Sequence, residues 1–428
     1  MLHRRTTFGL ATGMIMILVV MRPVYIEIYS AEEYTITDSW QMAKSELESH
    51  SIVENELIEP SEFQETDEDN FNATPVRISA CGDLLMMKRA LDQGISKGFR
   101  SLWKKTVPYF KASDISFLQF EGVASDRLVS WPPNFNMVHT TSTPKGFNYP
   151  TKVLDDLSKF VDVFSTANNH AFDRGFPGVA STIATIKKTG SLHTGTRVIK
   201  ANVTGNYMDW YTVVTRNDRR IAFIACTGFV NNNPIVGYRV KTNDSRIRRS
   251  ILHCDSAVHV VETIAARGDI DAIIAAPHMG TEFSSVPAEK QIEIAKALLD
   301  AGAVVTIGNH VHMVQPMEKY KTKDGRLTAI IYALGNFAGG MIGTDPVLTK
   351  SSALAFIDLA WNNKNVAHVT NVKYLPLCEA RDNFIMEVLP AIQSTTCRRE
   401  YAHVLKIIGQ TGFVEPILPE EVLSYQPN

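Results

Sequence analysis

The sequence predicts an α/β layered domain, and three observations predict it. Short, nearly continuous apolar runs recur from residue 75 onward, as expected of strands covered on both faces. Amphipathic stretches that end in helix-stop residues lie between several of them. Polar residues of metal-ligand type fall just past the ends of the runs, where function gathers in an open α/β sheet.

The runs, in order, are "VRISAC" (76–81), "DISFLQF" (114–120), "VDVFSTA" (161–167), "RIAFIAC" (220–226), "IDAIIAA" (270–276), "AVVTI" (303–307) and "AIIYAL" (329–334). The expected helices are "FPGVASTIATIKKTG" (176–190), "SILHCDSAVHVVETIAARG" (250–268) and "PAEKQIEIAKALLDAG" (287–302). The first closes on lysines and a glycine, the second on Arg267-Gly268. The third has acidic residues early and Gly302 after its last apolar position. This pattern is an α/β domain, bounded at 75–380, with 381–428 expected as a peripheral C-terminal tail.

Two segments precede it. Within residues 1–30, His3-Arg4-Arg5 leads into an apolar run from Phe8 to Met21, the layout of a signal peptide or signal-anchor. The run is short for a spanning helix, which needs about 20 residues, and no small-x-small cleavage site follows it. The expectation is a single-pass membrane protein with its main domain extracytoplasmic, or a secreted protein if the signal is cleaved. Residues 31–74 carry thirteen Asp or Glu and one Lys, and read as a solvated, disordered spacer. Residues 75–428 hold 39 basic and 31 acidic residues. That excess is either scattered surface charge or a basic face that attracts an anionic substrate or a lipid surface. No nucleic-acid partner is expected. Cys378 and Cys397 are spaced to pair across a C-terminal loop in an oxidising compartment, and Cys81 reads as a buried thiol.

Asp83, Glu121, Asn169, His170, His278, His310 and His312 lie just past the apolar runs. Each has an ordinary alternative. Asp83 after Gly82 is also a turn residue or helix cap, Glu121 beside Gly122 a solvated turn acid, and Asn168-Asn169 plain turn chemistry. His278 alone is a satisfied polar residue. In His310-x-His312, a strand-like spacing of two points both rings to one side. Together these residues favour a metal site.

At these positions the chain resembles the CapA/PgsA family of capsule and poly-γ-glutamate synthesis proteins, which share the calcineurin-like metallophosphoesterase fold. The resemblance is carried by "ACGDLLM" (80–86), "DISFLQFEG" (114–122), "STANNHAFDRG" (165–175), "APHMGTEF" (276–283), "DAGAVVTIGNHVHMVQPME" (300–318) and "IIYALGNF" (330–337). It implies a four-layer α/β/β/α sandwich. It also implies that Asp83, Glu121, Asn169, His278, His310 and His312 hold one or two divalent transition metal ions. Mixed carboxylate, amide and imidazole donors suit Mn, Fe or Zn. Glu121 or Asp83 would bridge two ions, His170 would act as general acid, and Asp173 would orient it. The histidine of the superfamily's D-x-H first motif is replaced here by Leu85. The second motif has Gln119 where asparagine is usual, and the fourth has Met279 where tryptophan is usual.

Three functions are compatible with the resemblance. One is a membrane-associated protein of capsule or poly-γ-glutamate synthesis or export, which partners a membrane-bound polyglutamate synthase complex and an anionic polymer. Another is a metal-dependent phosphoesterase acting on a phosphorylated small molecule. The last is a non-catalytic binding subunit that keeps the fold.

Overall fold

The computed structural model describes residues 75–126, 146–199, 207–231, 245–340, 346–382 and 385–427. The expected targeting segment (1–30) and acidic spacer (31–74) lie outside the described residues. Sixteen strands are described: β1 (Val76–Leu84), β2 (Ile115–Phe120), β3 (Val123–Ala124), β4 (Asn148–Tyr149), β5 (Val163–Ser165), β6 (Leu192–Thr194), β7 (Tyr211–Arg216), β8 (Arg219–Thr227), β9 (Ala272–His278), β10 (Val305–Ile307), β11 (Met317–Lys321), β12 (Leu327–Ile331), β13 (Ser351–Trp361), β14 (Ala367–Asp382), β15 (Ile385–Pro390) and β16 (Val414–Pro416).

Two large sheets form. The first runs β15-β14-β13-β1-β2-β5-β6, with β16 also on β14. The second runs β11-β12-β10-β9-β8-β7. In each, the strands nearest the site are parallel: β1, β2, β5 and β6 in one, and β8, β9, β10 and β12 in the other.

Strand alternation sorts the side chains into layers. Ile78, Phe117, Val163, Phe223, Ile274, Ile307, Ile331 and Ile357 share one core between the two sheets. Phe117 of the first sheet stacks on Phe223 of the second, with ring centroids 5.8 Å apart. The opposite parity faces helices. Leu118, Phe120 and Phe164 pack with Leu91, Trp103, Leu154 and Ile186. Ile224, Ala275 and Ile330 pack with Val261 and Ile264 of helix Cys254–Ala265 and Ile294 and Leu298 of helix Glu289–Asp300. The result is the expected four-layer α/β/β/α sandwich, in which each sheet is buried on both faces.

The seven expected strands and three expected helices are all present, with shifted ends. The second expected helix starts at Cys254, because Ile251 and His253 form bridges to Thr196 and Thr227. A disulfide joins Cys226 to Cys254, a pair the sequence reading did not contain, and another joins Cys378 to Cys397. Cys81 is a free buried thiol.

The C-terminal segment departs most from expectation. The boundary at 380 falls inside β14, and residues 381–428 are no peripheral tail. β15 and β16 both pair with β14, and Val404, Ile408 and Val414 enter the core between the sheets. The polar residues that made this region look exposed have specific partners. Glu379 is buried and accepts the backbone N–H of Gly340 at 2.9 Å and that of Gly339. A chain ending at Ala380 therefore loses two strands and part of the central core. Such a truncation is expected to give insoluble or unfolded protein, read by size-exclusion chromatography and circular dichroism. A monodisperse product with native ellipticity would refute this account of the C-terminus.

Candidate metal centre

The candidate residues converge because of parity. His278 continues the inner face of β9, after Ala272, Ile274 and Ala276. Glu121 continues that of β2, after Ile115 and Phe117. Asp83 would point the other way on a regular β1, since Val76, Ile78 and Ala80 face inward. A bulge corrects this: β1 pairs Cys81 with Leu118 and then Asp83 with Gln119, so Gly82 is the extra residue. A Cβ on Gly82 would lie 1.8 Å from the Gly335 carbonyl oxygen, so the bulge requires glycine. Asp83 is thereby turned onto the inner face. Its N–H donates to Gly335 O (2.9 Å) and its carbonyl accepts from Phe337 N–H (2.8 Å), which brings Asn336 alongside.

His310 and His312 follow β10, but not as a strand. Both have left-handed backbones, with φ of 105° and 61°. The expected strand-like alternation is thus replaced by a kinked loop that turns both rings toward the site while Val311 packs away from it. Strained residues of this kind persist where the surroundings hold them. Here Asp83 Oδ2 accepts the His310 N–H (3.0 Å), and Asn309 Oδ1 accepts the Leu334 N–H (3.1 Å).

The resulting cluster is tight and buried. His278 Nδ1 is 3.6 Å from Asp83 Oδ1, and His278 Nε2 is 3.6 Å from Glu121 Oε1. His312 Nδ1 is 3.7 Å from Asp83 Oδ2 and 3.9 Å from Glu121 Oε2. His278 and His310 ring centroids are 4.9 Å apart. Asn169 Oδ1 lies 2.9 Å from His278 Nε2, and Asn336 Oδ1 lies 3.1 Å from His312 Nδ1. Two triads each have ligand atoms within 4.8 Å of one another: Glu121, His278 and His310, and Asp83, Glu121 and His312. Glu121 is common to both.

The electrostatics fit a divalent cation. Burial and then the neighbouring Glu121 push the Asp83 carboxyl well above its ordinary value. Burial pushes His278 well below its ordinary value, His310 down to about 3 and His312 down to about 4. The imidazoles are therefore neutral near pH 7, as ligands must be, and supply no counter-charge to the two carboxylates. Asp83 Oδ1, both Glu121 oxygens, His278 Nδ1 and His310 Nδ1 are buried without a hydrogen-bond partner. Orphaned lone pairs of this kind are costly, and one shared cation satisfies them together. At the position of the absent first-motif histidine, Leu85 is buried in the apolar layer between sheet and helices.

Beside the cluster stands a second pair. His170 Nδ1 is 2.7 Å from Asp173 Oδ2. Burial opposes protonation of His170, but Asp173 outweighs it and holds the imidazole above its ordinary value. Asn168 positions this loop: its amide donates to Phe120 O (2.8 Å) and its Oδ1 accepts the N–H groups of Gly122 (3.3 Å) and His170 (3.1 Å). All eight expected site residues are thus gathered at one place. Glu318 is not there; it accepts the Tyr332 hydroxyl at 2.6 Å. Asn336, quoted in a motif without a role, is there. Asn231, Phe229 and Phe283 were not singled out, and they contact His170, His310 and His312 respectively.

Known proteins resemble this chain over the same region. It is 26% identical over 298 residues to the PGA biosynthesis protein CapA of Bacillus subtilis (strain 168), covering 69% of this chain and 70% of that protein. It is 24% identical over 322 residues to the capsule biosynthesis protein CapA of Bacillus anthracis, covering 74% and 70%. Among solved structures it is similar to a phosphatase from Mycoplasma pneumoniae (12% identity, TM-score 0.42, 73% of this chain and 97% of that one). It is also similar to a hypothetical protein from Thermus thermophilus (11% identity, TM-score 0.40, 71% and 100%). The family model for the bacterial capsule synthesis protein PGA_cap matches residues 77–341, which span every strand end that carries the cluster, and the chain belongs to that family.

Proposed function

We propose that this protein acts in capsule polymer synthesis or export, with poly-γ-glutamate as the polymer, through a metal-binding, phosphoesterase-like site. The observation that carries the reading is the buried set of orphaned donors on Asp83, Glu121, His278 and His310. Asp83, Glu121, Asn169, His278, His310 and His312 would hold one or two ions of Mn, Fe or Zn, with Glu121 shared. A bound ion supplies Lewis acidity toward a phosphoryl or carboxyl oxygen and activates water. His170, whose Nδ1 lies 2.7 Å from Asp173 Oδ2, would give a proton to a leaving group there. The replacement of the first-motif histidine by Leu85 favours a second reading, a binding subunit with reduced metal content and no turnover. The apolar run at 8–21 supports membrane attachment, with the folded domain outside the cytoplasm and a membrane-bound synthase as partner. Among the described residues no helix is long and apolar enough to cross a membrane.

Elemental analysis of the purified protein tests the centre. Bound transition metal is expected, and His310→Ala with His312→Ala should lower affinity by about 10–100-fold or more. Protein purified metal-free without chelators would overturn the reading. Metal-loaded protein that fails to hydrolyse an aryl phosphate with Mn, Fe or Zn would select the binding subunit.

Asp83→Asn removes a buried charge facing Glu121 while keeping an acceptor for His310 N–H. The metal-free variant is expected to be more stable than wild type by about 1–3 kcal/mol, yet to bind metal poorly. A lower melting temperature would show that Asp83 and Glu121 are not in conflict.

Cell fractionation should place the full chain with membranes, and deletion of residues 1–30 should release it or prevent its export. Full-length protein recovered in the soluble cytoplasmic fraction would exclude the anchor.

A further inference from the structure

Six described non-glycine residues have positive φ. Asn217, Asp218 and Asn365 are short polar residues that tolerate this conformation in turns. The other three, Phe283, His310 and His312, all lie at the candidate centre. For a bulky aromatic such as Phe283 (φ 62°) the left-handed region is costly, and nothing in its burial repays it, since the side chain is 50% exposed. What the conformation achieves is placement. The Phe283 N–H donates to Val311 O (2.9 Å), between the two loop histidines, and its ring centroid is 5.9 Å from that of His312.

Phe229 is set in the same way from the opposite loop. Thr227 N–H bonds Leu252 O (2.9 Å), Gly228 N–H bonds His278 O (3.0 Å), and the Thr227 hydroxyl donates to Phe229 O (2.7 Å). The Cys226–Cys254 disulfide fastens the start of this loop. The Phe229 ring, 41% exposed, meets His310 edge-on at 5.1 Å. Each exposed ring is tied by its backbone to a strand end or loop that carries candidate ligands.

We propose that Phe283 and Phe229 are specificity residues that receive an uncharged, apolar portion of the ligand while its single oxyanion head enters the buried cluster. The ligand class is a phosphate monoester or phosphonate carrying an apolar organic group. This rests on the metal-centre reading given above. Apolar contact with two aromatic faces excludes water from that group and favours it over a headgroup alone.

Calorimetric titration of the Mn-loaded full chain with methylphosphonate and phenylphosphonate tests the proposal, since the two share a head and differ in the apolar group. Phenylphosphonate is expected to bind at least about 10-fold more tightly, roughly 1.4 kcal/mol. Phe283→Ala and Phe229→Ala should each cut that preference to about 3-fold or less, with the methylphosphonate affinity and the metal content unchanged. Phe283→Gly should lose the preference but melt no lower than wild type, because glycine adopts this φ without strain. Equal binding of the two phosphonates by wild type would overturn the proposal while leaving the metal centre intact. An unchanged preference in Phe283→Gly with a lowered melting temperature would assign the ring a structural role and overturn it too. Failure to bind metal, or either phosphonate, would remove the centre and this proposal with it.

Discussion

Two carboxylates confined together without a cationic side chain are the constraint on which the rest of this structure depends. Asp83 and Glu121 are both fully buried, and among the described residues their ion-pair partners are His278 and His312 alone. Those imidazoles are held neutral by burial, so the negative charge is not cancelled within the chain. An ordinary core would exclude such a pair, because an uncompensated buried charge costs several kcal/mol. The sandwich tolerates it at the carboxyl ends of parallel strands, where backbone N–H groups and loops can be brought in from both sheets. The hydrogen bond from His310 N–H to Asp83 shows the fold meeting part of that demand itself.

The same constraint explains the distribution of backbone strain. Loop 309–312 bends sharply to aim its side chains at a small volume and is fastened by the buried amides of Asn309 and Asn336; Phe283 is tied to it by its N–H, and Asn168 fastens the loop that carries His170. Asparagine suits this work, since one side chain both donates and accepts and can join two loops at once. The second buried pair, His170 with Asp173, is fastened likewise: Asp173 also accepts the Phe147 N–H. The side chains of the centre are therefore held in place by the chain's own hydrogen bonds, which is the condition for precise chemistry or selective binding.

Much of the parallel half of the fold was legible in the sequence, because strands buried on both faces must be apolar throughout, and "RIAFIAC" and "IDAIIAA" are too short and too apolar to be much else in a globular domain. The site was legible for a related reason: a polar residue that ends such a run has few explanations, and several ending in ligand types have fewer. The antiparallel half was not. β14 interleaves Asn371, Lys373, Glu379 and Arg381 with its apolar residues and contains Pro376, and its buried Glu379 is satisfied by glycines 39 and 40 positions away. No local pattern announces a carboxylate whose partners are that remote. The spacing of His310-x-His312 accounts for only part of how the pair meets the site. Its spacing suggested an extended strand, whereas left-handed φ values at both histidines do the aiming, and φ is not written in residue identity except through glycine. The placement of Phe283 depends on the same kind of φ value.

The glycine bulge in β1 carries one more implication. A strand is a two-phase device: each residue advances the side-chain direction by half a cycle, and only the count between two points decides which face a later residue meets. Gly82 inserts a half-cycle, so Val76 through Ala80 stay in phase with the hydrophobic interior while Asp83 enters the same interior as a polar group. The metal-ligand character of Asp83 is thus a property of parity as much as of chemistry. Evolution can exchange the apolar residues of β1 freely for others of like size, but one further residue inserted between Ala80 and Asp83 would leave that apolar face in phase and still turn Asp83 away from the site.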